Sequence, residues 1–216
     1  MSLTLFYTIV GFGLAGWSVI ANDSIQTLGT YMASKMKWFK WYTLAGVASI
    51  AMIITITYGW YVNNGDISYG RLTQIPYQKV YWYHAVAPGI LLLLTRKGIP
   101  VSTTFLVLSA FASTVVLEKM LLKSMVGYGV AAIFAYACWF IIAKFINEKK
   151  DHIENETQRK FWRNIKWGTS ALLWSTWLMH DVANIAVYLP RKLDGWLLVV
   201  VLAYFTILLF YLFKTK

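Results

Sequence analysis

Two aspartates stand inside stretches that otherwise read as membrane-spanning, Asp23 in ANDSIQTLGT and Asp181 in HDVANIAVYLP. A charged side chain at bilayer depth costs about 2.5 to 3.5 kcal/mol even on lenient insertion scales, so it marks a pathway, a bound ion or a partner. Two such segments of related composition suggest a duplicated binding unit. Both also carry helix-breaking signals: Asn22, Asp23 and Ser24 favour caps and turns, and Pro190 closes the second segment. Half-helix ends expose N–H groups that suit anions and C=O groups that suit cations.

A third polar stretch lies between them, RKGIPVSTTFLVLSAFAS, where Gly98 and Pro100 interrupt the apolar run and Ser102, Thr103 and Thr104 present three consecutive hydroxyls. Two arrangements are open. One is the tip of a re-entrant hairpin, with hydroxyls and the N–H groups of a new helix facing an oxyanion. The other is a tight turn between two spanning helices, with the hydroxyls capping the second.

The elements that must position these residues are membrane helices. The chain has 216 residues, 58% hydrophobic and only 13% charged, with a mean hydropathy of +0.54. Its apolar runs match the roughly 20 residues needed for a helix to cross the hydrocarbon layer, and none alternates like a barrel strand. Seven are expected, over residues 3–21, 42–61, 78–95, 99–117, 125–146, 168–189 and 195–213. The fold class is therefore an all-α polytopic membrane protein, one transmembrane domain over 1–216. The N-terminal run lacks a basic n-region and is expected to be a retained helix. Cys138 is the only cysteine and reads as a packing residue.

The +11 charge falls between the apolar runs and forms no stripe of the kind that binds nucleic acid, so no nucleic-acid partner is expected. If all seven runs span, 14 of the 20 basic residues share one side, including Lys35, Lys37, Lys40, Arg96, Lys97, Lys214, Lys216 and seven between Lys144 and Lys166. The other side holds Arg71, Lys79, Lys119, Lys123, Arg191 and Lys192. The positive-inside rule then puts the C-terminus and the 147–166 loop in the cytoplasm and makes the two aspartate segments antiparallel. A recount with a re-entrant hairpin divides the charges almost evenly, so the charge distribution favours spanning. Antiparallel motifs on broken helices are the plan of inverted-repeat secondary transporters, here a first repeat over about 1–125 and a second, incomplete one over about 167–216.

ANDSIQTLGTYMASK (Ala21 to Lys35), GIPVSTTF (Gly98 to Phe105) and HDVANIAVYLP (His180 to Pro190) resemble, in that order, the signatures of the PiT family of inorganic phosphate transporters, approximately GANDVANAFGTSVGSK, G-x-PVSTTH and GANDVANAIGP. The resemblance implies cation-coupled symport of phosphate or a related oxyanion, with sodium as the coupling ion and protons as the alternative. By position it implies Asn22, Asp23, Gln26, Asp181 and Asn184 as cation ligands. Ser102, Thr103 and Thr104, with Asp181 and Asn184, are implied around the anion. Hard oxygen ligands suit a hard cation, and hydroxyl and N–H donors suit a phosphate.

The chain departs from those signatures at three places. Gln26 replaces the second Asn of the first motif, His180 the first Asn of the second, and Phe105 the terminal His of the hairpin motif. His180 either titrates near neutrality and couples transport to pH, or hydrogen-bonds locally. Family members also carry a second PVSTT-like hairpin, and this chain stops one hydrophobic segment beyond Asp181; it is a fragment, a reduced relative, or completed by a homodimer or another subunit.

The remaining polar residues read as structural. His84 sits in an aromatic cluster with Tyr81, Trp82 and Tyr83, His152 in the charged loop, and Glu118 beside Lys119 at a helix end, with a buried coupling carboxylate as the alternative. The histidines make no metal site, and no nucleophile–base pair, P-loop or dinucleotide fingerprint is visible, so neither an enzyme nor a cofactor beyond the coupling ion is expected. The expected location is the cell (inner) membrane, multi-pass. The competing class is a non-transporting membrane subunit or receptor that keeps the fold with an incomplete site.

Overall fold

The computed structural model describes residues 2–36, 38–99, 101–145 and 156–215. Pro100, His152, Lys37, Lys216 and the 147–155 part of the expected loop lie outside the described residues. The helices among the described residues are α1 (Leu3–Ser18), α2 (Ser24–Lys35), α3 (Trp41–Val62), α4 (Trp82–Arg96), α5 (Thr103–Ser109), α6 (Thr114–Phe145), α7 (Glu156–Asp181), α8 (Ala183–Ala186) and α9 (Gly195–Thr215). They fall into two compact units: residues up to Phe111 with those from Lys166 onward, and the described residues between Ala112 and Ile165.

Among the described residues four helical stretches are long and apolar enough to cross a bilayer: Leu3–Asp23, Trp41–Val62, Thr114–Lys144 and Gly195–Thr215. The other expected spans take different forms. α4 has 15 residues and α5 has 7, so at 1.5 Å per residue they reach only about 22 and 10 Å against a hydrocarbon core of about 30 Å. Residues 99–117 are thus not one spanning helix. Gly98 explains why the chain turns here: its φ of +73° forms the left-handed end of α4, closed by the Ile99 N–H on the Leu94 carbonyl at 3.1 Å. The Ser102 hydroxyl then accepts from the Phe105 N–H at 3.2 Å and caps α5.

The repeat boundary expected near residue 125 falls inside α6, which runs unbroken for 32 residues. Glu118, Lys119 and Lys123 interrupt its hydrophobicity, but with Leu121 and Leu122 they are good helix formers, and charge alone does not break a helix. Glu118 is exposed on α6.

In the first unit, α1 packs along α4, and α3 along α9. Leu44, Met52 and Ile56 of α3 and Phe205, Leu209 and Phe213 of α9 are buried, with Trp174 of α7 donating its indole N–H to the Ala48 carbonyl at 3.2 Å. Pro88 shapes the other half. It has no N–H, so the His84 carbonyl one turn earlier lacks its intrahelical donor, and the Tyr188 hydroxyl supplies one at 2.6 Å. The Pro88 carbonyl lies 2.8 Å from the Ser18 hydroxyl. Gly11 of α1 makes room for this tyrosine: a Cβ there would meet the Tyr188 ring at 2.4 Å.

Candidate functional site

The Asn22–Asp23 segment does not break its helix. Residues Val19–Asp23 form a π-helical turn, and Asp23 and Ser24 keep right-handed helical dihedrals into α2. No Gly or Pro lies in Trp17–Leu28 to stop the chain, so the polar residues widen the turn and leave it continuous. π-turns of this kind recur at functional sites because they re-aim side chains without ending the element. The second segment does end: α7 stops at Asp181, and the backbone ladder resumes through a tighter closure, the Ile185 N–H on the Val182 carbonyl at 3.1 Å. α8 then brings Asn184 inward.

Asp23 and Asp181 lie close enough for their carboxyl groups to interact electrostatically. Both are buried, 2% and 6% exposed, which rules out bulk water as the stabiliser of their charge. α5 lies between the two segments, and neighbouring residues on a helix diverge by about 100°, so Thr103 and Thr104 reach different acids. The Thr103 hydroxyl donates to Asp23 Oδ1 at 2.8 Å, and Asn22 Nδ2 donates to that same oxygen at 2.8 Å and to Thr103 Oγ1 at 3.1 Å. The Thr104 hydroxyl donates to Asp181 Oδ1 at 3.1 Å, and Asn184 Nδ2 donates to that oxygen at 3.3 Å and to Thr104 Oγ1 at 3.2 Å. Each acid therefore sits in a triangle of one Asp, one Asn and one Thr.

The triangles leave their other oxygens unmet. Asp23 Oδ2, Asp181 Oδ2, Asn184 Oδ1 and Ser24 Oγ are buried without a hydrogen-bond partner. A buried acceptor without a donor costs about 1 to 3 kcal/mol, and more if ionised. Two adjacent carboxylates in apolar surroundings repel, so a cation or a proton between them relieves both penalties. Carboxylate, amide and hydroxyl oxygens are the donor set of a hard cation, which fits sodium.

Most of the sequence-predicted site residues meet here, and one correction stands out. Gln26 is exposed and stays outside the cluster; the buried neighbour is Thr27, one turn after Asp23, whose hydroxyl donates to the Asp23 carbonyl at 2.7 Å. In this structure the hydroxyls of Thr103 and Thr104 donate to the two carboxylates, and the Ser102 oxygen accepts the cap bond. His180 is exposed, and the Arg71 guanidinium reaches its Nδ1 from the loop after α3. His84 is structural, taking the Tyr81 N–H on Nδ1 at 2.9 Å and stacking on Phe111 with ring centres 4.1 Å apart.

Sequence reasoning missed three contributors. The Val101 carbonyl accepts from Asn22 Nδ2 at 3.2 Å, and the Thr95 hydroxyl lies 3.5 Å from Asn22 Oδ1. Thr95 was detectable as the one hydroxyl in ILLLLTR. Arg71 lies within electrostatic range of Asp181, and no local pattern marks it, because tertiary packing alone brings it there. A groove of about 650 Å³ between α1 and α4 is lined by apolar residues such as Phe6, Trp17 and Trp82, and none of the site residues lines it. No family model, curated protein or solved structure matches the chain.

Proposed function

We propose that the protein is a cation-coupled secondary transporter that carries phosphate or a related tetrahedral oxyanion across the cell membrane, with sodium as the coupling ion. The observation that carries this reading is the convergence of two buried aspartates from separate segments on adjacent threonines of α5, each acid retaining one unpartnered oxygen. The three motifs that resemble the PiT signatures supply the substrate class, and the short α4 and α5 fit a re-entrant pair in an inverted-repeat, multi-pass arrangement.

Coupling follows from the single proton on each threonine hydroxyl. While the carboxylates lack a cation, Thr103 and Thr104 must donate to them. Sodium held by Asp23, Asn22, Asp181 and Asn184 satisfies those oxygens and frees both hydroxyls, beside Ser102, to turn to an oxyanion. Cation binding thus precedes and promotes anion binding.

The second reading is a non-transporting membrane subunit or receptor. It is favoured by the same fact that both threonine hydroxyls are already engaged. Uptake of radioactive phosphate into proteoliposomes holding the full chain, with and without a sodium gradient, separates the two. The transporter reading expects gradient-driven uptake that Asp23→Asn and Asp181→Asn each reduce at least about 100-fold, or roughly 2.7 kcal/mol. No sodium-dependent uptake, with residual activity unchanged in both variants, would overturn it.

A further inference from the structure

We infer that Arg71 and His180 form an oxyanion-capture station next to the buried acids, a binding site for a tetrahedral anion such as phosphate. Its ligand class rests on the transport reading above. Its location rests on geometry alone.

A guanidinium has five donors and no acceptor, so in the Arg71–His180 contact the imidazole Nδ1 must be the acceptor. Among the described residues Arg71 makes no ion pair, and its side-chain hydrogen bond is to the imidazole Nδ1. An arginine with no carboxylate in hydrogen-bond contact keeps most of its fork available, and the planar fork matches two oxygens of a phosphate. Both residues are exposed, so an anion reaches them without opening the core.

Position gives the pair its role. His180 directly precedes Asp181, and Arg71 is the cation within range of that carboxyl. An anion approaching two buried carboxylates meets repulsion, which a guanidinium beside Asp181 offsets at the point of entry. The Thr104 hydroxyl is bonded to that same carboxyl group, at Asp181 Oδ1. The other charged groups of the surrounding loops are otherwise engaged or displaced. Asp66 accepts from the Ser68 and Gly70 backbone N–H groups at 2.7 and 3.1 Å, and Arg191 donates to the Ile75 carbonyl at 2.8 Å. Burial pulls the Arg191 guanidinium below the usual arginine range, opposed by the Asp66 carboxylate. Lys79 is exposed on the same loop.

The test is equilibrium dialysis of radioactive inorganic phosphate against the purified full chain in detergent, with choline replacing sodium, alongside thermal melting of each variant. We expect saturable binding that weakens with salt, falls about tenfold or more in Arg71→Gln, and falls about threefold in Arg71→Lys, which keeps the charge but not the fork. Lys79→Gln should bind like the unaltered chain. No phosphate binding by the unaltered chain would overturn the inference. So would equal losses in Arg71→Gln and Lys79→Gln, which would mark a diffuse basic loop, or a lowered melting point in Arg71→Gln with unchanged binding, which would mark a mere tether. Arg71-dependent binding without sodium-driven uptake would support the station while removing the transport reading.

Discussion

The two acid triangles use the same three residue types and reach them by different backbones. Around Asp23 the asparagine is the residue before the acid; around Asp181 it is three residues after. The equivalent positions in the opposite halves, Gln26 and His180, are both exposed. The backbones differ at the acid. In the first half the π-turn carries on into α2, with Asn22 buried and Gln26 exposed. In the second half α7 ends at Asp181, the short α8 carries the buried Asn184, and His180 is exposed beside Arg71. Of the ligand set implied by the motifs, Asn22, Asp23, Asp181 and Asn184 are buried and Gln26 is exposed.

The sharpest way to break this comparison is the asparagine swap. Asn22→Ala removes an amide that bridges Asp23 and Thr103, and it should weaken sodium binding by about 10- to 100-fold, the cost of roughly 1 to 3 kcal/mol for a buried hydrogen-bonding group. Gln26→Ala should leave it within about twofold, as for an exposed position away from the cluster. Equal effects, measured by isotope binding, would mean that the continuous helix is not the working conformation.

A smaller effect tests the equivalence of the halves. Thr103→Val and Thr104→Val each remove a donor that one carboxylate uses only while no cation is bound, so each should raise sodium affinity by about fivefold, or about 1 kcal/mol. A large disparity would show that one acid carries the cation and the other only packs against it.

The smallest effect concerns the scaffold that holds α4 and α8 together. Tyr188→Phe leaves the His84 carbonyl without a donor and should lower stability by about 1 kcal/mol, seen as a shift of a few degrees in thermal melting. In a Pro88→Ala background the new N–H can serve that carbonyl, so the same substitution should cost less. An undiminished shift would mean that the tyrosine stabilises by ring packing against Gly11 and Phe111 alone.

The reach of the sequence can be judged from these same residues. The apolar runs at 3–21, 42–61 and 195–213 map onto helices long enough to span, because length and hydrophobicity are local properties. Asp23, Asp181 and the Thr103–Thr104 pair were legible because polar groups in apolar runs stand out energetically. The form of residues 99–117 was not, since Gly98 permits a spanning turn and a short hairpin equally well. The gap between the 99–117 and 125–146 runs is helical, because Glu118 to Lys123 lower hydrophobicity without breaking α6. Arg71 was invisible, its distance in sequence from His180 being 109 residues.

The central claim is that Asp23 and Asp181 make one cation site and not two. Equilibrium binding of radioactive sodium to the purified full chain tests it most directly, using Asp23→Asn, Asp181→Asn and the double variant. One shared site predicts saturable binding that each single substitution abolishes, with no further loss in the double variant, the extreme of non-additivity expected for groups acting as a unit. Saturable binding that survives either substitution, or losses that simply add, would contradict it.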